Sequence, residues 1–276
     1  MNPSRTTRPL PVRIWGALSS INLNAVALSL SRGPKIAKEY VIYTYRLRHG
    51  YALPWIWSNL SWRNDLLVPR VPVQELFPEI DFNSSPELIY PLPRDHSVQP
   101  HELMIINKVL RWLQTDRAME FGTAEGRTTV NLALHVAKNG EVVTVNLPPE
   151  PGSEVGYLYW DHPLRSKIKQ LYSDVAVWDP AEYRASAGLV FGDACDQPPG
   201  VAQEMRQLFA VVKPGGVVFR HDYGFAEGVT KFWNRVSKEL PVKHIEGTTL
   251  LCLKVETPEL HARMQKVAAD FLKQYA

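Results

Sequence analysis

Arg117-Ala-Met-Glu-Phe-Gly-Thr-Ala-Glu-Gly-Arg-Thr-Thr129 decides the fold. It reads as a short buried strand closed by Glu120, a turn punctuated by Gly122 and Gly126, and the start of a helix. Glycine suits such a turn because backbone that wraps closely round a ligand often takes φ > 0 and has no room for a Cβ. The helix, over about Arg127–Lys138, presents free N–H groups toward the turn. This is the geometry of a nucleotide-type site at the carboxyl end of a strand.

Downstream, the same alternation repeats. Gly140 stops the helix, and a strand follows over Glu141–Val145. Leu164–Leu171 contains a helix end or a third strand, and Gly188–Phe191 a further strand ending at Gly192-Asp193. Helix Val201–Val212 stops at Lys213-Pro-Gly-Gly, and strand Val217–Arg220 ends at His221-Asp222. Helix Gly228–Leu240 precedes strands Val242–Ile245 and Thr249–Val255, and helix Glu259–Gln274 closes the chain. Repeated βα units predict a Rossmann-like, mainly parallel α/β sheet of seven strands, covered on both faces. The last two strands, joined by a short turn, must pair as an antiparallel hairpin, which makes the terminal strand antiparallel.

Upstream, His101–Gln114 places Leu103, Ile106, Val109, Leu110 and Leu113 on one helical face. Val68–Pro100 is rich in Pro, Asp, Asn and Ser and reads as an extended connector. The expected organisation is therefore a basic N-terminal extension with connector over 1–100, and an α/β domain over 101–276. Within the extension, residues 14–66 have helix-like patterning, including Lys35–Arg48, and residues 1–13 are polar and proline-containing.

Charge separates the two parts. Residues 1–70 hold ten Lys and Arg against Glu39 and Asp65, a net +8, so within an overall +3 the remainder carries −5. Trp15, Trp55, Trp57 and Trp62 are interleaved with these bases. That mixture suits peripheral contact with an anionic membrane or a glycolipid. It equally suits a subdomain whose tryptophans pack on the core, and it suits nucleic acid less well. No run of ~18 uninterrupted apolar residues is present, so no transmembrane helix is expected. Leu18–Leu30, preceded by arginines, imitates a signal peptide, but serines and asparagines break its apolar run. Two distant cysteines, Cys195 and Cys252, form neither a disulfide framework nor a zinc motif, and a cytoplasmic setting is expected.

The expected strand ends carry Glu120, Asn146, Asp174, Asp193 and His221-Asp222. Ligands of open parallel sheets sit at this edge. A dinucleotide fingerprint would need G-x-G-x-x-G, and the turn here reads G-x-x-x-G, which disfavours an NAD-type oxidoreductase.

The turn resembles motif I of class I S-adenosylmethionine (SAM) dependent methyltransferases, and more particularly a bacterial small-molecule or sugar O-methyltransferase subgroup. The likeness continues in order through Val143-Thr-Val-Asn-Leu-Pro-Pro149, Ile168-Lys-Gln-Leu-Tyr-Ser-Asp174 and Leu189-Val-Phe-Gly-Asp-Ala-Cys-Asp196. It ends with Lys213-Pro-Gly-Gly-Val-Val-Phe-Arg-His-Asp-Tyr223 and Ile245-Glu-Gly-Thr248. The resemblance implies that Glu120, Gly122, Thr123 and Gly126 hold the methionine part of SAM, with Asn146 at the ribose and Asp174 near the adenine. It places Asp193 and Asp222 toward the acceptor, a small molecule or glycoconjugate bearing a hydroxyl. In related enzymes a divalent metal, Mg²⁺, lies between such carboxylates. His221 with Asp222 offers a general base instead.

Three positions depart from the subgroup. Asn146 replaces an aspartate, at an expected cost of about 1 kcal/mol in ribose binding. Cys195 replaces a second acid, and His221 replaces the first aspartate of a D-D-Y. A nitrogen donor suits Mg²⁺ poorly. These departures keep open a non-catalytic binding or scaffold protein that retains the fold.

Overall fold

The computed structural model describes residues 66–91 and 97–275. The expected helix Lys35–Arg48, the tryptophan-rich basic segment and the apolar run Leu18–Leu30 lie outside the described residues. From Leu67 onward the chain forms one compact unit. The strands are β1 (Arg70–Val71), β2 (Arg117–Phe121), β3 (Glu141–Asn146) and β4 (Ile168–Tyr172), then β5 (Ala187–Gly192), β6 (Val212–Arg220), β7 (Lys243–Ile245) and β8 (Leu251–Lys254). Among the described residues the α-helices are α1 (Val73–Leu76), α2 (Pro100–Leu113), α3 (Arg127–His135), α4 (Pro198–Val211), α5 (Glu227–Val236) and α6 (Pro258–Leu272).

The sheet has eight strands in the order β4-β3-β2-β5-β6-β8-β7-β1. All neighbours are parallel except β8, which runs antiparallel to both β6 and β7. The hairpin expected at the C-terminus thus forms, its second strand inserting between β6 and β7. Strand β5 reads as an unbroken apolar run, and every residue of it is buried. This is what a parallel strand covered on both faces requires. Ala118, Val142, Leu189 and Val217 face Leu103, Ile106, Leu110 and Val130 of α2 and α3 in one core cluster. Helices α4 and α6 pack together and cover the other face.

Three boundaries differ from the sequence reading. Helix α3 ends at His135 because Val136 turns extended, and the Ala137 amide is taken by the Thr115 carbonyl. Strand β6 starts at Val212, running through the glycine pair with a register irregularity opposite Ala187 and Leu189. The largest difference is in the stretch 68–100, expected as a connector outside the α/β domain. It supplies β1, which pairs with β7, and Phe77, fully buried in the core. The compact unit therefore begins at Leu67 rather than 101, and the eighth strand comes from a proline-rich segment too short to show a period-2 pattern.

Buried polar groups hold this added strand in place. The Val68 amide donates to the Tyr223 hydroxyl at 3.1 Å, which donates to Asn234 Oδ1 at 2.6 Å. Asn234 Oδ1 also accepts from the Leu67 amide at 3.0 Å. Replacing Asn234 by Ala leaves buried donors without this acceptor, so Asn234→Ala is expected to cost about 1–3 kcal/mol in chemical denaturation. An unchanged midpoint would show that β1 is anchored some other way.

Candidate active site

Register lines up the carboxyl ends of four strands. Phe121 pairs with Val145 and with Gly192, and Gly192 pairs with Arg220. Beyond the strands the ladder continues one step: Gly122 N donates to Val145 O, Asp193 N to Phe121 O, and His221 N to Gly192 O. Gly122, Asn146, Asp193 and His221 therefore share one edge. Asp174 follows one loop further out, beyond β4.

Gly122 takes φ +98°, and a Cβ there would lie 2.5 Å from the Asp193 carbonyl oxygen. The turn after β2 and the turn after β5 touch backbone to backbone, which excludes a side chain. Gly126, at φ +92°, caps α3 with its Cα face against the Tyr159 ring, where a Cβ would meet Cδ1 at 2.5 Å. Tyr159 in turn donates to Gln170 Oε1. Both glycines satisfy a packing demand as well as a backbone one.

Glu120 is fully buried. Its Oε2 accepts from the hydroxyls of Thr129 and Thr144, the latter at 2.6 Å, and Thr144 meets Thr123 Oγ1 at 2.6 Å. Oε1 is buried without a hydrogen-bond partner. Burial pushes the carboxyl up to about 8, against the pull of the two threonine hydroxyls. An uncharged acid with an unpartnered oxygen is a place where a cationic ligand would restore the charge.

Asn146 turns inward to the glycine loop. Its Oδ1 accepts from Thr123 N at 3.0 Å and its Nδ2 donates to the Leu147 carbonyl at 2.9 Å. The amide thus braces the turn, which a carboxylate could do through the first contact but not the second. Asp174 is exposed and closes its own turn, accepting from Ala176 N at 2.8 Å. Beside these strand ends Leu147 and Tyr172 are exposed apolar surface, 58% and 49% respectively.

The densest chemistry lies after β5 and β6. Asp193, His221 and Asp222 bring potential ligand atoms within 4.8 Å of one another. His221 Nδ1 is 3.1 Å from Asp193 Oδ1 and 3.1 Å from Asp222 Oδ1. Its Nε2 is 3.2 Å from Glu102 Oε2, on α2. Glu102 is buried and also accepts from the Thr249 amide and hydroxyl and from the Gln99 amide. Despite the opposing effect of burial, Asp222, Asp193 and Glu102 raise His221 well above its ordinary value, and His221 holds Glu102 well below its own. Burial pushes Asp222 up to about 6, against the attraction of His221 and with the repulsion of Asp193. The mixed nitrogen and oxygen donor set suits Mg²⁺ less well than an all-oxygen set. With both ring nitrogens facing carboxylates, an imidazole so engaged has no lone pair to take a proton as a general base.

Beneath this cluster Arg220 is buried, its Nη1 donating to the Gly192 and His221 carbonyls at 3.0 and 2.9 Å. Its Nη2 bonds the Cys195 carbonyl and lies 3.3 Å from Glu204 Oε2. Glu204 Oε1 accepts from Ala194 N at 3.0 Å. The pair pins the 192–195 turn, so that Asp193 is held at the edge. Burial, with Glu204 nearby, pushes the Cys195 thiol up to about 12, which removes it as a nucleophile.

Sequence reasoning missed Glu102, Glu204 and Arg220. Glu102 had a readable signal: Gln99-Pro-His-Glu102 is a capping box with proline at the first helical position, and both reciprocal bonds form. Its long-range contact to His221, 119 positions away, had none. Arg220 sits in an apolar run and reads as the end of a strand.

Residues 119–223 match the model of a family described as a methyltransferase domain. Among solved structures the chain is similar to a methyltransferase from Podospora anserina, SAH-bound, with 12% identity, TM-score 0.50, and 57% of this chain and 79% of that one covered. It is also similar to an O-methyltransferase of tomaymycin synthesis from Streptomyces achromogenes, solved with SAM (19% identity, TM-score 0.46, 58% and 82% covered). A third is an O-methyltransferase from Bacillus cereus in complex with SAH (16% identity, TM-score 0.46, 58% and 82% covered). No curated protein matches the chain. The likeness to the Podospora anserina structure shows a Rossmann-like fold, and residues 119–223 within it match the methyltransferase-domain model.

Glu120 yields a test with a definite sign. Its folded value near 8 stands above the ordinary 4.5, so between these pH values the folded state keeps a proton that the unfolded state has released. Stability should therefore fall as pH rises through that window. Glutamine keeps the shape without the titration. Glu120→Gln is expected to gain stability relative to wild type, more at pH 8 than at pH 5, in denaturant titrations. An equal difference at both pH values would show that Glu120 is ionised in the folded protein.

Proposed function

We propose that this protein is a SAM-dependent O-methyltransferase of a small, hydroxyl-bearing acceptor, with sugars and glycoconjugates as the first class to test. The observation that carries the reading is the convergence, at one sheet edge, of the glycine turn with the Asp193–His221–Asp222 cluster. A methyl donor needs a site for its cation and an acceptor needs a site for its proton, and this edge has both.

Toward the cofactor, the residues fit. The amides of the first turn of α3 lack intrahelical partners. Glu120 Oε1 is a buried acceptor without a partner, complementary to an ammonium or sulfonium. Asn146 holds the loop through Thr123 and keeps a second amide N–H for a ribose hydroxyl. Leu147 presents apolar surface suited to the face of a purine, and Asp174, in the turn after β4, is the acid the resemblance assigns to the adenine. When bound, SAM supplies a methyl group already activated by its sulfonium.

Toward the acceptor, alignment and proton removal remain for the protein. Asp222, at about 6, is a carboxylate whose basicity is matched to an acceptor near neutral pH. It takes over the base role expected of His221, whose nitrogens are engaged. Asp193, at the same 3.1 Å from the same nitrogen, offers a second hydrogen-bond acceptor to orient the hydroxyl.

Calorimetry with SAM and SAH tests the cofactor half. Micromolar binding is expected, weakened about tenfold or more by Asn146→Ala through loss of its bond to the Thr123 amide. Absence of binding at millimolar SAM would sink the assignment. Binding with no methyl transfer across sugar, glycolipid and phenolic acceptors would leave a SAM-binding protein without turnover.

A further inference from the structure

Helix α3 presents a polar row to the chain that precedes α2. Arg127, Asn131 and His135 recur at every fourth position, so they lie along one face of the helix. Each of them binds backbone from the preceding segment. Asn131 grips Ile89 twice: its Oδ1 accepts from the Ile89 amide at 2.9 Å, and its Nδ2 donates to the Ile89 carbonyl at 2.7 Å. His135 Nε2 lies 2.8 Å from the Glu87 carbonyl, which only accepts, so that nitrogen carries a proton. Arg127 reaches furthest. Its Nη1 lies 3.5 Å from the Tyr90 carbonyl, while Nη2 donates to the Val98 carbonyl and lies 3.4 Å from Ser97 Oγ. One guanidinium therefore fastens residue 90 and residues 97–98 together.

This strap is held by side chains. Among the described residues, no backbone-to-backbone hydrogen bond joins residues 81–91 to the rest of the unit. Lys108 of α2 adds bonds to the Asp81 carbonyl and the Ser84 hydroxyl. A segment fastened without a ladder opens at lower free energy than a central strand such as β5.

Arg127 is also electrostatically misplaced. It is the first residue of α3, directly after Gly126, so a buried cation stands at the positive end of the helix dipole. Its Nε is buried without a hydrogen-bond partner. An anion on the free amides of that helix turn would offset the repulsion, and SAM and SAH both carry an α-carboxylate. A second route links strap and turn. The Tyr90 hydroxyl donates to the Leu158 carbonyl at 3.2 Å, and the Leu158 amide donates to the Glu125 carbonyl, within the glycine turn, at 3.1 Å.

We propose that Arg127 is a positioning residue that couples this strap to the cofactor: occupation of the glycine turn fastens residues 87–91 and 97–98, and loosening them weakens the cofactor. The coupling rests on the cofactor half of the function proposed above. Linkage makes the two effects equal, so an undocked strap lowers SAH affinity by the factor by which SAH slows the strap's opening.

Hydrogen exchange of the full-length protein, followed by mass spectrometry with and without saturating SAH, tests this. Without ligand, residues 87–91 are expected to exchange at least about tenfold faster than β5. SAH is expected to slow them about fivefold or more, together with residues 123–129 of the turn and helix start. Arg127→Met keeps the bulk and removes the fork; SAH should then protect the turn but no longer the strap. Asn131→Ala loosens Ile89 from outside the turn, and calorimetry should show SAH binding weakened about threefold or more. Protection of the turn without the strap in wild type would overturn the coupling and leave the cofactor reading standing. Protection of neither would remove the cofactor reading and the coupling with it. A strap as slow as β5 without ligand would also refute the proposal. Should Arg127→Met not fold, Asn131→Ala decides: unchanged SAH affinity refutes the coupling, and the expected loss supports it.

Discussion

One buried ring joins parts of the chain that the sheet topology alone would leave apart. His221 ends β6, Glu102 opens α2, and Asp193 follows β5, yet the imidazole is within 3.2 Å of all three neighbouring acids. Removing one member of such a group leaves the others buried and uncompensated, which is far costlier than never having built it. The cluster thereby ties α2 to the edge of the sheet. Glu102 makes this bond while also completing the capping box of its own helix. A single carboxylate thus satisfies the helix N-terminus, the Thr249 amide and the ring.

Around that constraint the two halves of the site are fitted by backbone contact. Gly122 packs against the Asp193 carbonyl with no space for a methyl group. The loop expected to bind a cofactor and the loop bearing Asp193 are consequently packed backbone to backbone. Arg220 and Glu204 fix the second loop from below, binding the carbonyls and amides on either side of Asp193. Buried ion pairs of this sort contribute little net stability against apolar packing, but they specify a geometry. Here the geometry specified is the direction of Asp193.

The regular part of this arrangement is legible in the sequence because it rests on short-range signals. Short, largely apolar segments bounded by glycine or a polar residue mark β2, β3, β5 and β6, and polar residues at or near their carboxyl ends mark the sheet edge. Glu120, Asn146, Asp193 and His221 were found that way, and the tight Glu246-Gly-Thr turn correctly required β7 and β8 to be antiparallel. What could not be read depends on partners far away in the chain. Strand β1 has two residues and borrows its identity from β7. Glu102 looks like an ordinary first-turn helix acid, and nothing local says that it faces a histidine. Asn146 is read as a ribose ligand by its place after β3, but whether its amide turns outward or braces Thr123 is a matter of rotamer.

Asp222 shows how the same chemistry could be mistaken from types alone. A histidine beside an aspartate suggests a general base with an orienting acid, the imidazole taking the proton and the carboxylate steadying it. The function proposed above divides the roles the other way. The imidazole faces acids from both ring nitrogens, while the aspartate is half-buried, close to a second carboxylate, and raised to about 6. The backbone pays for this orientation with a left-handed residue at 222, a conformation that aspartate tolerates better than most side chains. Two amides, of Phe225 and Ala226, accept the turn by donating to the Asp222 carbonyl. Strain of this kind persists where the surroundings over-determine it. At this edge they do so because the ring of His221 can satisfy Glu102 and Asp193 only if the next residue bends back toward it.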